Sequence, residues 1–183
     1  MGNKKLWIGL AALAVAVAAV FLYLNGTRAL SPPGKEELTA AGMTVTVSYN
    51  RPSVRDRLIF GPEDQGALQP FGRYWRLGAN EATEISFNRD ILFNGSPVGA
   101  GTYRMYAIPG ADAFEIVLNT QVGESGSSQP GEENDVLRTK VPTQQTAAPV
   151  EQFTIRLAPE EQGMEMLFEW SDTRFVVPLR VRQ

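Results

Sequence analysis

The pattern of hydrophobic and polar positions changes once along the chain, near residue 30. Leu6 to Leu24, LWIGLAALAVAVAAVFLYL, make a run of 19 residues without a charge. As a helix rising about 1.5 Å per residue, this run would span roughly 28 Å, close to the hydrocarbon thickness of a bilayer. Trp7 and Tyr23 lie near its two ends, where aromatic side chains favour the membrane interface. The pattern predicts a transmembrane anchor over residues 6–24.

The residues around this run predict its orientation. Lys4 and Lys5 precede it, so residues 1–5 are expected in the cytoplasm and the remainder is expected to be exported. A cleaved signal peptide is the alternative. Its apolar core is normally about 7–15 residues long and is followed by a small-x-small cleavage site, whereas the apolar run here is longer and no clean A-x-A sequence follows it. We therefore favour an uncleaved anchor.

Beyond the anchor, the hydrophobic period becomes two. Residues 25–42 are rich in turn formers and show no period, which predicts a linker. From Met43, the sequence MTVTVSY alternates apolar and polar positions in the manner of a half-buried strand. Similar short segments follow, separated by Gly, Pro and Asn: 57–60, 73–77, 82–88, 90–94, 102–108, 114–119, 136–141, 153–158, 165–170 and 174–181. Residues 43–183 are therefore predicted to form an all-β, antiparallel β-sandwich of about ten strands.

Three local features refine this prediction. Asn94-Gly95 predicts a tight hairpin turn, because both residues tolerate positive φ. Pro178 lies inside the last predicted strand, which favours an edge position or a bulge. Thr120 to Asp135, TQVGESGSSQPGEEND, is a long, mostly polar insertion and is predicted to be a mobile loop.

Several of these segments together resemble a bacterial family called domain of unknown function 2911. The most specific word is WRLGANEAT, residues 75–83, and the likeness extends from about Met43 to Val181. It implies an exported all-β domain and carries no activity, because none is established for that family. One segment departs from the pattern: GESGSSQPGEEN stands where relatives often have aromatic residues. The other matching segments are YNRPSVRDRLIFG (49–61), PFGRYWRLGANEATEISF (70–87), GTYRMYAIPG (101–110), VLN (117–119), DVLRTKV (135–141) and LFEWSDTRFVVPL (167–179).

Composition excludes much of the usual chemistry. The chain has no histidine and no cysteine, which excludes Ser-His-Asp and Cys-His catalysis, His/Cys zinc sites and iron–sulfur clusters. A carboxylate-based hydrolase remains, but Glu81 and Glu84 are an odd number of residues apart and would lie on opposite strand faces. GEEND, residues 131–135, lacks the alternating acidic order of a calcium loop. No cofactor, metal or catalytic residue is expected.

Charge narrows the choice of partners. Without Lys4, Lys5 and Arg28, the exported part has 14 basic and 20 acidic residues, a net charge of −6. This balance argues against nucleic acid as a partner. Arginine dominates among the basic residues, with 13 Arg against 4 Lys. Arg51, Arg55, Arg57 and Arg73 predict either an anion or partner-binding rim or a structural network with nearby acidic residues, and we favour the network.

The alternation of strand faces predicts where the side chains of the segment WRLGANEAT, residues 75–83, point. Trp75 and Leu77 share one face, which favours core packing over a sugar-binding role for the aromatic residues. Glu81 has the phase of the core side, so it is expected to pair with an arginine, Arg76 or Arg51. Asn80 is expected in a left-handed turn conformation. Arg76, Asn80 and Glu81 thus form a predicted structural motif.

Three functions remain at this point. The first is a non-enzymatic accessory subunit in the bacterial inner membrane, with its sandwich in the periplasm. Its partners would be the lipid bilayer and a larger membrane protein complex, such as a respiratory or photosynthetic assembly. The second is a tethered module that binds a cell-envelope carbohydrate or a small anion through the arginine rim. The third is the carboxylate-based hydrolase.

Overall fold

The structure is a computed structural model that describes residues 2–182. Inside this range, the side chains of residues 2–6, 12, 23–25 and 27–29 lie outside the described set. The side chains of three predicted anchor residues, Leu6, Tyr23 and Leu24, are therefore not among those described.

The chain begins with a long helix, α1 (Gly2–Ala29). Every residue of α1 whose burial is described is exposed, including large apolar side chains such as Trp7 (70% exposed) and Phe21 (64%). Among the residues whose positions are described, no helical stretch has the length and hydropathy that a membrane crossing demands.

The rest of the described chain is mostly β-structure. Two short 3₁₀ helices, Glu63–Gln65 and Glu132–Asn134, interrupt it. The strands are β1 (Pro33–Ala40), β2 (Met43–Asn50), β3 (Phe60–Gly61), β4 (Gln69–Pro70), β5 (Thr83–Phe87), β6 (Ile91–Phe93), β7 (Ser96–Val98), β8 (Gly101–Ile108), β9 (Ala113–Asn119), β10 (Asp135–Pro142), β11 (Gln144–Glu160) and β12 (Gly163–Val181).

Two antiparallel sheets share one hydrophobic core. The larger sheet has the order β1-β2-β5-β8-β9-β10 and the smaller has the order β11-β12-β6-β7, while β3 and β4 form a short parallel pair. The core cluster draws buried side chains from both sheets. At its centre the rings of Trp75 and Trp170 stack at 5.8 Å. Packing of this kind supplies most of the stability of a domain that has no disulfide.

The linker is the first region where the structure differs from the sequence prediction. Residues 33–40 form β1, which pairs with β2 along its whole length, from Pro33–Asn50 to Ala40–Met43. Helix α1 ends at Ala29, so only residues 30–32 separate the two elements. The strand was missed because β1 is polar and contributes little to the core, where Leu38 and Ala40 pack only partly buried.

The segments 57–60 and 73–77 are the second difference. Only Phe60 of the first lies in a strand, and the second is irregular. Trp75 meets the sheet through one bridge to Ala107, with two backbone hydrogen bonds of 2.8 Å. The side-chain phase was nevertheless correct, since Trp75 and Leu77 are both buried in the core.

The predicted hairpin is confirmed, and the C-terminal strand is longer than expected. Asn94 (φ 47°) and Gly95 (φ 82°) connect β6 to β7. The segments 165–170 and 174–181 form one strand, β12, with Ser171 in a left-handed conformation (φ 55°) between them. Pairing of β12 with β11 ends at Arg174, so Pro178 lies on a locally unpaired edge and costs the β11–β12 ladder no hydrogen bond.

Candidate functional site

An arginine-lined cleft lies where the chain leaves α1. It has a volume of about 360 Å³. Leu30 and Ser31 enter its wall directly after the helix, and Trp170 lines it from β12. None of the described residues that line it is acidic: Leu30, Ser31, Pro52, Ser53, Arg55, Arg57, Leu68, Gln69, Arg76, Gly78, Ala79, Asn80 and Trp170.

Two of the cleft arginines are held by backbone carbonyls. Arg57 donates from Nε to the carbonyl of Val54 (2.9 Å) and from Nη2 to that of Ser53 (2.6 Å). Arg76 donates from Nη1 to the carbonyl of Asn80 (3.0 Å). A carbonyl fixes the orientation of a guanidinium without neutralising its charge, so both groups keep a full positive charge in the cleft.

The four predicted rim arginines do not form one site. Arg55 and Arg57 line the cleft. Arg51 instead reaches β11, where it donates to the carbonyl of Phe153 (3.3 Å) and to Oγ1 of Thr154 (3.0 Å). Arg73 forms an exposed ion pair with Glu63 at 2.8 Å, whose carboxylate hydrogen bond and charge raise the pKa of Arg73. Arg73 thus has the acidic partner that the network interpretation expects, whereas Arg51 is held by β11 instead. The rim interpretation of Arg55 and Arg57 stays a prediction.

The turn at Gly78 to Asn80 shapes one wall of the cleft. Gly78 has a φ of 154°, and a Cβ there would lie 2.6 Å from the carbonyl oxygen of Asn50, so glycine is required. Asn80 adopts the expected left-handed conformation (φ 56°). Its carbonyl accepts hydrogen bonds from Arg76 and from the backbone N–H of Gly126 (3.2 Å).

The two glutamates of the family word are placed differently from the prediction. Glu81 is exposed rather than on the core side, because it precedes β5 and forms a backbone bridge to Ser125. Its pairing with an arginine stays a prediction. Glu84 is half-buried, and its Oε1 accepts the backbone N–H of Gly123 at 2.6 Å. Glu84 thus anchors a loop.

That loop covers a polar network on the outer face of the larger sheet. Arg104 of β8 is 1% exposed and donates to the hydroxyl of Tyr74 (2.6 Å) and to the carbonyl of Ser128. Its neighbours on the strand, Met105 and Ala107, face the core. Arg104 therefore lies on the opposite face, beneath the segment between β9 and β10.

The centre of this network is Asp135. Its carboxylate accepts hydrogen bonds from the hydroxyl of Tyr106 (3.0 and 3.1 Å) and from Nδ2 of Asn119 (2.7 Å). Arg138 forms an ion pair with it at 2.7 Å and contacts Glu115 at 3.0 Å. Burial, followed by the hydrogen bond and charge of Asp135, raises the pKa of Tyr106. We call these residues, with Tyr74 and Arg104, the outer-face network.

The segment 120–135, predicted to be mobile, is tied to the domain at several points. Hydrogen bonds at Gly123, Gly126 and Ser128, described above, hold it to the rest of the domain. In addition, the carbonyl of Gly131 accepts a hydrogen bond from Nδ2 of Asn119 at 2.9 Å. Among the described residues, no group of three or more acidic side chains is placed to hold a metal ion.

Two residues were not predicted from the sequence to take part in polar sites: Arg104 in the outer-face network and Trp170 in the wall of the cleft. A signal for Arg104 is present in TYRMYAI, where Arg104 and Tyr106 share the phase opposite to Met105 and Ala107. Trp170 gave no such signal, because its indole belongs to the core and only the fold brings it to the cleft.

Fold and site together define an all-β domain that follows an N-terminal helix and carries an arginine cleft near their junction. The chain belongs to the family described as "Protein of unknown function (DUF2911)", which it matches over residues 31–179. A search of curated proteins gave no significant match, and neither did a search of solved structures.

Proposed function

We propose that the chain is a non-enzymatic accessory subunit that α1 anchors in the bacterial inner membrane. Its N-terminus would lie in the cytoplasm, and its β domain would stabilise a larger inner-membrane complex from the periplasmic side. We propose a respiratory or photosynthetic assembly as this complex. The observation that carries this proposal is α1 itself, whose described apolar side chains, such as Trp7 and Phe21, are all exposed.

Large apolar side chains that are exposed on a helix are stabilised when lipid or another protein shields them from water. A soluble helix buries an apolar stripe against its own domain, whereas α1 does not bury any described residue. Lipid and neighbouring helices would provide the missing apolar surroundings. The uncharged sequence of residues 6–24 supports a crossing of the bilayer.

The β domain supports the same proposal through its architecture. Two antiparallel sheets that share one core favour a β-sandwich, a fold that presents broad faces to partners. On the outer face of the larger sheet, the charges of Asp135 and Arg138 are paired with each other. Such a network serves rigidity better than proton transfer.

Purification of the full-length chain in a mild detergent tests this proposal. We expect stoichiometric co-purification of membrane proteins with the tagged chain. The matched control replaces residues 6–24 with an unrelated apolar helix of the same length, which would keep the anchor and lose the partners. Recovery of a monomer without partners from native membranes would contradict the accessory role.

Protease treatment of spheroplasts tests the location. The β domain should be digested by protease added from outside, while a cytoplasmic marker protein stays intact. Protection of the β domain until the membrane is lysed would contradict a periplasmic location.

A binding module for a small anion is the second candidate function. It is favoured by the cleft around Arg55, Arg57 and Arg76, where no described lining residue is acidic. The carbohydrate form of this alternative loses support, because Trp75 and Trp170 are buried in the core. A carboxylate hydrolase is the weakest candidate, since the carboxylate of Glu84 is engaged with Gly123.

A further inference from the structure

We propose that the cleft of Arg55, Arg57 and Arg76 is a binding site for a phosphate group. The family match and the proposed accessory role do not assign any ligand to it. The charge of the cleft, an orphaned donor in its wall and its position in the fold point to this ligand.

The charge of the cleft is unusual for this protein. The exported part of the chain carries a net charge of −6, yet the described residues that line the cleft include three arginines and no acidic residue. Within the described part of the chain, none of the three forms an ion pair. Uncompensated guanidinium groups that share one concave surface attract an anion, and the planar fork of arginine suits phosphate oxygens.

Arg55 is the most available of the three. The described chain gives its guanidinium no hydrogen-bond partner, and only its backbone N–H is engaged, with Oε1 of Glu151 at 3.1 Å. Both Arg55 (φ 51°) and Asp56 (φ 56°) adopt left-handed backbone conformations. Two consecutive non-glycine residues in this region cost stability, so the loop is held in place by its surroundings rather than by local preference.

Trp170 supplies the second observation. It is 1% exposed and lines the cleft, and its indole N–H finds no hydrogen-bond partner among the described residues. A buried N–H without an acceptor is costly. The indole N–H of Trp75 is likewise without a partner among the described residues, but Trp75 does not line the cleft. A phosphate oxygen that reached Nε1 of Trp170 from the cleft would satisfy this donor as well as the arginines.

The position of the cleft indicates where such a phosphate would come from. Leu30 and Ser31 of its wall directly follow α1. Leu30 (46% exposed) and Leu68 (37%) place exposed leucines beside the arginines. Apolar side chains beside guanidinium groups fit the headgroup region of a phospholipid, which favours a lipid phosphate over free phosphate.

The test uses the full-length chain, ¹⁵N-labelled, in micelles of an uncharged detergent. The chain has three tryptophans, so three indole N–H resonances are followed by NMR, and that of Trp170 is assigned from Trp170→Phe. One titration uses inorganic phosphate at constant ionic strength. A second uses short-chain phosphatidylglycerol, with the matching diacylglycerol, which lacks the phosphate, as its control.

We expect the Trp170 indole resonance to shift with a phosphate-bearing ligand and not with diacylglycerol. Arg55→Gln should raise the dissociation constant by about tenfold, the scale of one charge-assisted contact. Arg73→Gln is the matched control, since Arg73 is already paired with Glu63 outside the cleft, and it should leave the constant unchanged. Arg76→Gln serves as a second cleft variant.

The two titrations separate the sources of the phosphate. If phosphatidylglycerol shifts the Trp170 indole resonance at concentrations where inorganic phosphate does not, the site binds a lipid headgroup. The reverse assigns it to free phosphate. No shift with either ligand, or equal weakening by Arg55→Gln and Arg73→Gln, overturns the site. The inorganic phosphate titration does not require α1 to cross a membrane, so its result is independent of the accessory role.

Discussion

Arginine has opposite surroundings in the outer-face network and in the cleft. In the network, Arg138 lies within ion-pair distance of Glu115, Glu132 and Asp135. In the cleft, Arg57 and Arg76 donate their hydrogen bonds to carbonyl oxygens, among the described groups. The first arrangement neutralises the charge and fixes the chain, while the second fixes the side chain and leaves its charge available. The type of acceptor, rather than the number of arginines, distinguishes the outer-face network from the proposed binding site.

The sharpest test of the network is Asp135→Asn. The side chain of Asp135 is 7% exposed, and the change removes the negative charge that compensates Arg138. We expect the free energy of unfolding to fall by about 2–4 kcal/mol, the usual cost of breaking a largely buried pair. Urea denaturation measures the loss. The control, Asp64→Asn on an exposed 3₁₀ helix, should change it by less than about 0.5 kcal/mol. Similar values for both variants would show that the network contributes little to stability.

The pH dependence of stability provides a second test through Tyr106. Folding raises the pKa of this phenol, through burial first and Asp135 second. Its contribution is therefore complete below the ordinary tyrosine pKa of about 10 and is lost as the pH rises towards the higher folded value. Tyr106→Phe should cost about 1–2 kcal/mol at pH 8.

The Tyr106→Phe variant should also lose less stability than the wild type as the pH rises. We expect the urea midpoint of the wild type to fall more steeply than that of Tyr106→Phe between pH 9 and pH 11, on the scale set by one phenol. Parallel curves for the two proteins would mean that Tyr106 does not titrate differently in the folded state.

A smaller effect is expected at the loop that covers the network. Glu84→Ala removes the acceptor of the Gly123 N–H and should cost about 1 kcal/mol. Hydrogen exchange at residues 120–131 should accelerate in this variant. Glu124→Ala, an exposed change in the same loop, is the control and should leave exchange unchanged. Unchanged exchange in Glu84→Ala as well would show that the loop is held by its other contacts.

The smallest stability effect is expected in the cleft. Arg55→Gln removes a charge that no described group compensates, so the free energy of unfolding should change by less than about 0.5 kcal/mol or rise slightly. Urea denaturation without phosphate measures this change. A loss comparable to that of Asp135→Asn would place Arg55 among the structural arginines and remove the contrast between the two regions.

Sequence reasoning succeeded where local pattern and fold agree. Strong apolar alternation located β2, β5, β8 and β9, and Asn94-Gly95 predicted its turn from backbone preference alone. It failed for β1, because that strand is stabilised by pairing with β2 rather than by burial of its own side chains.

The candidate site was harder to predict than the fold. The cleft gathers Ser31, Arg55, Arg76 and Trp170 from segments that are far apart in the chain, and no spacing rule connects them. Glu81 was misplaced because strand phase was extended through a turn, where the chain leaves the pleat and the alternation no longer holds.

The short connection between α1 and β1 has a consequence for how partners are met. Residues 30–32 extend at most about 10 Å. An anchored α1 would therefore keep the β domain close to the membrane surface. The β domain would then search a thin layer beside the bilayer, in which its local concentration is high for membrane neighbours and negligible for targets farther away. Encounter would thus be almost two-dimensional, and modest contacts would suffice for a stable association.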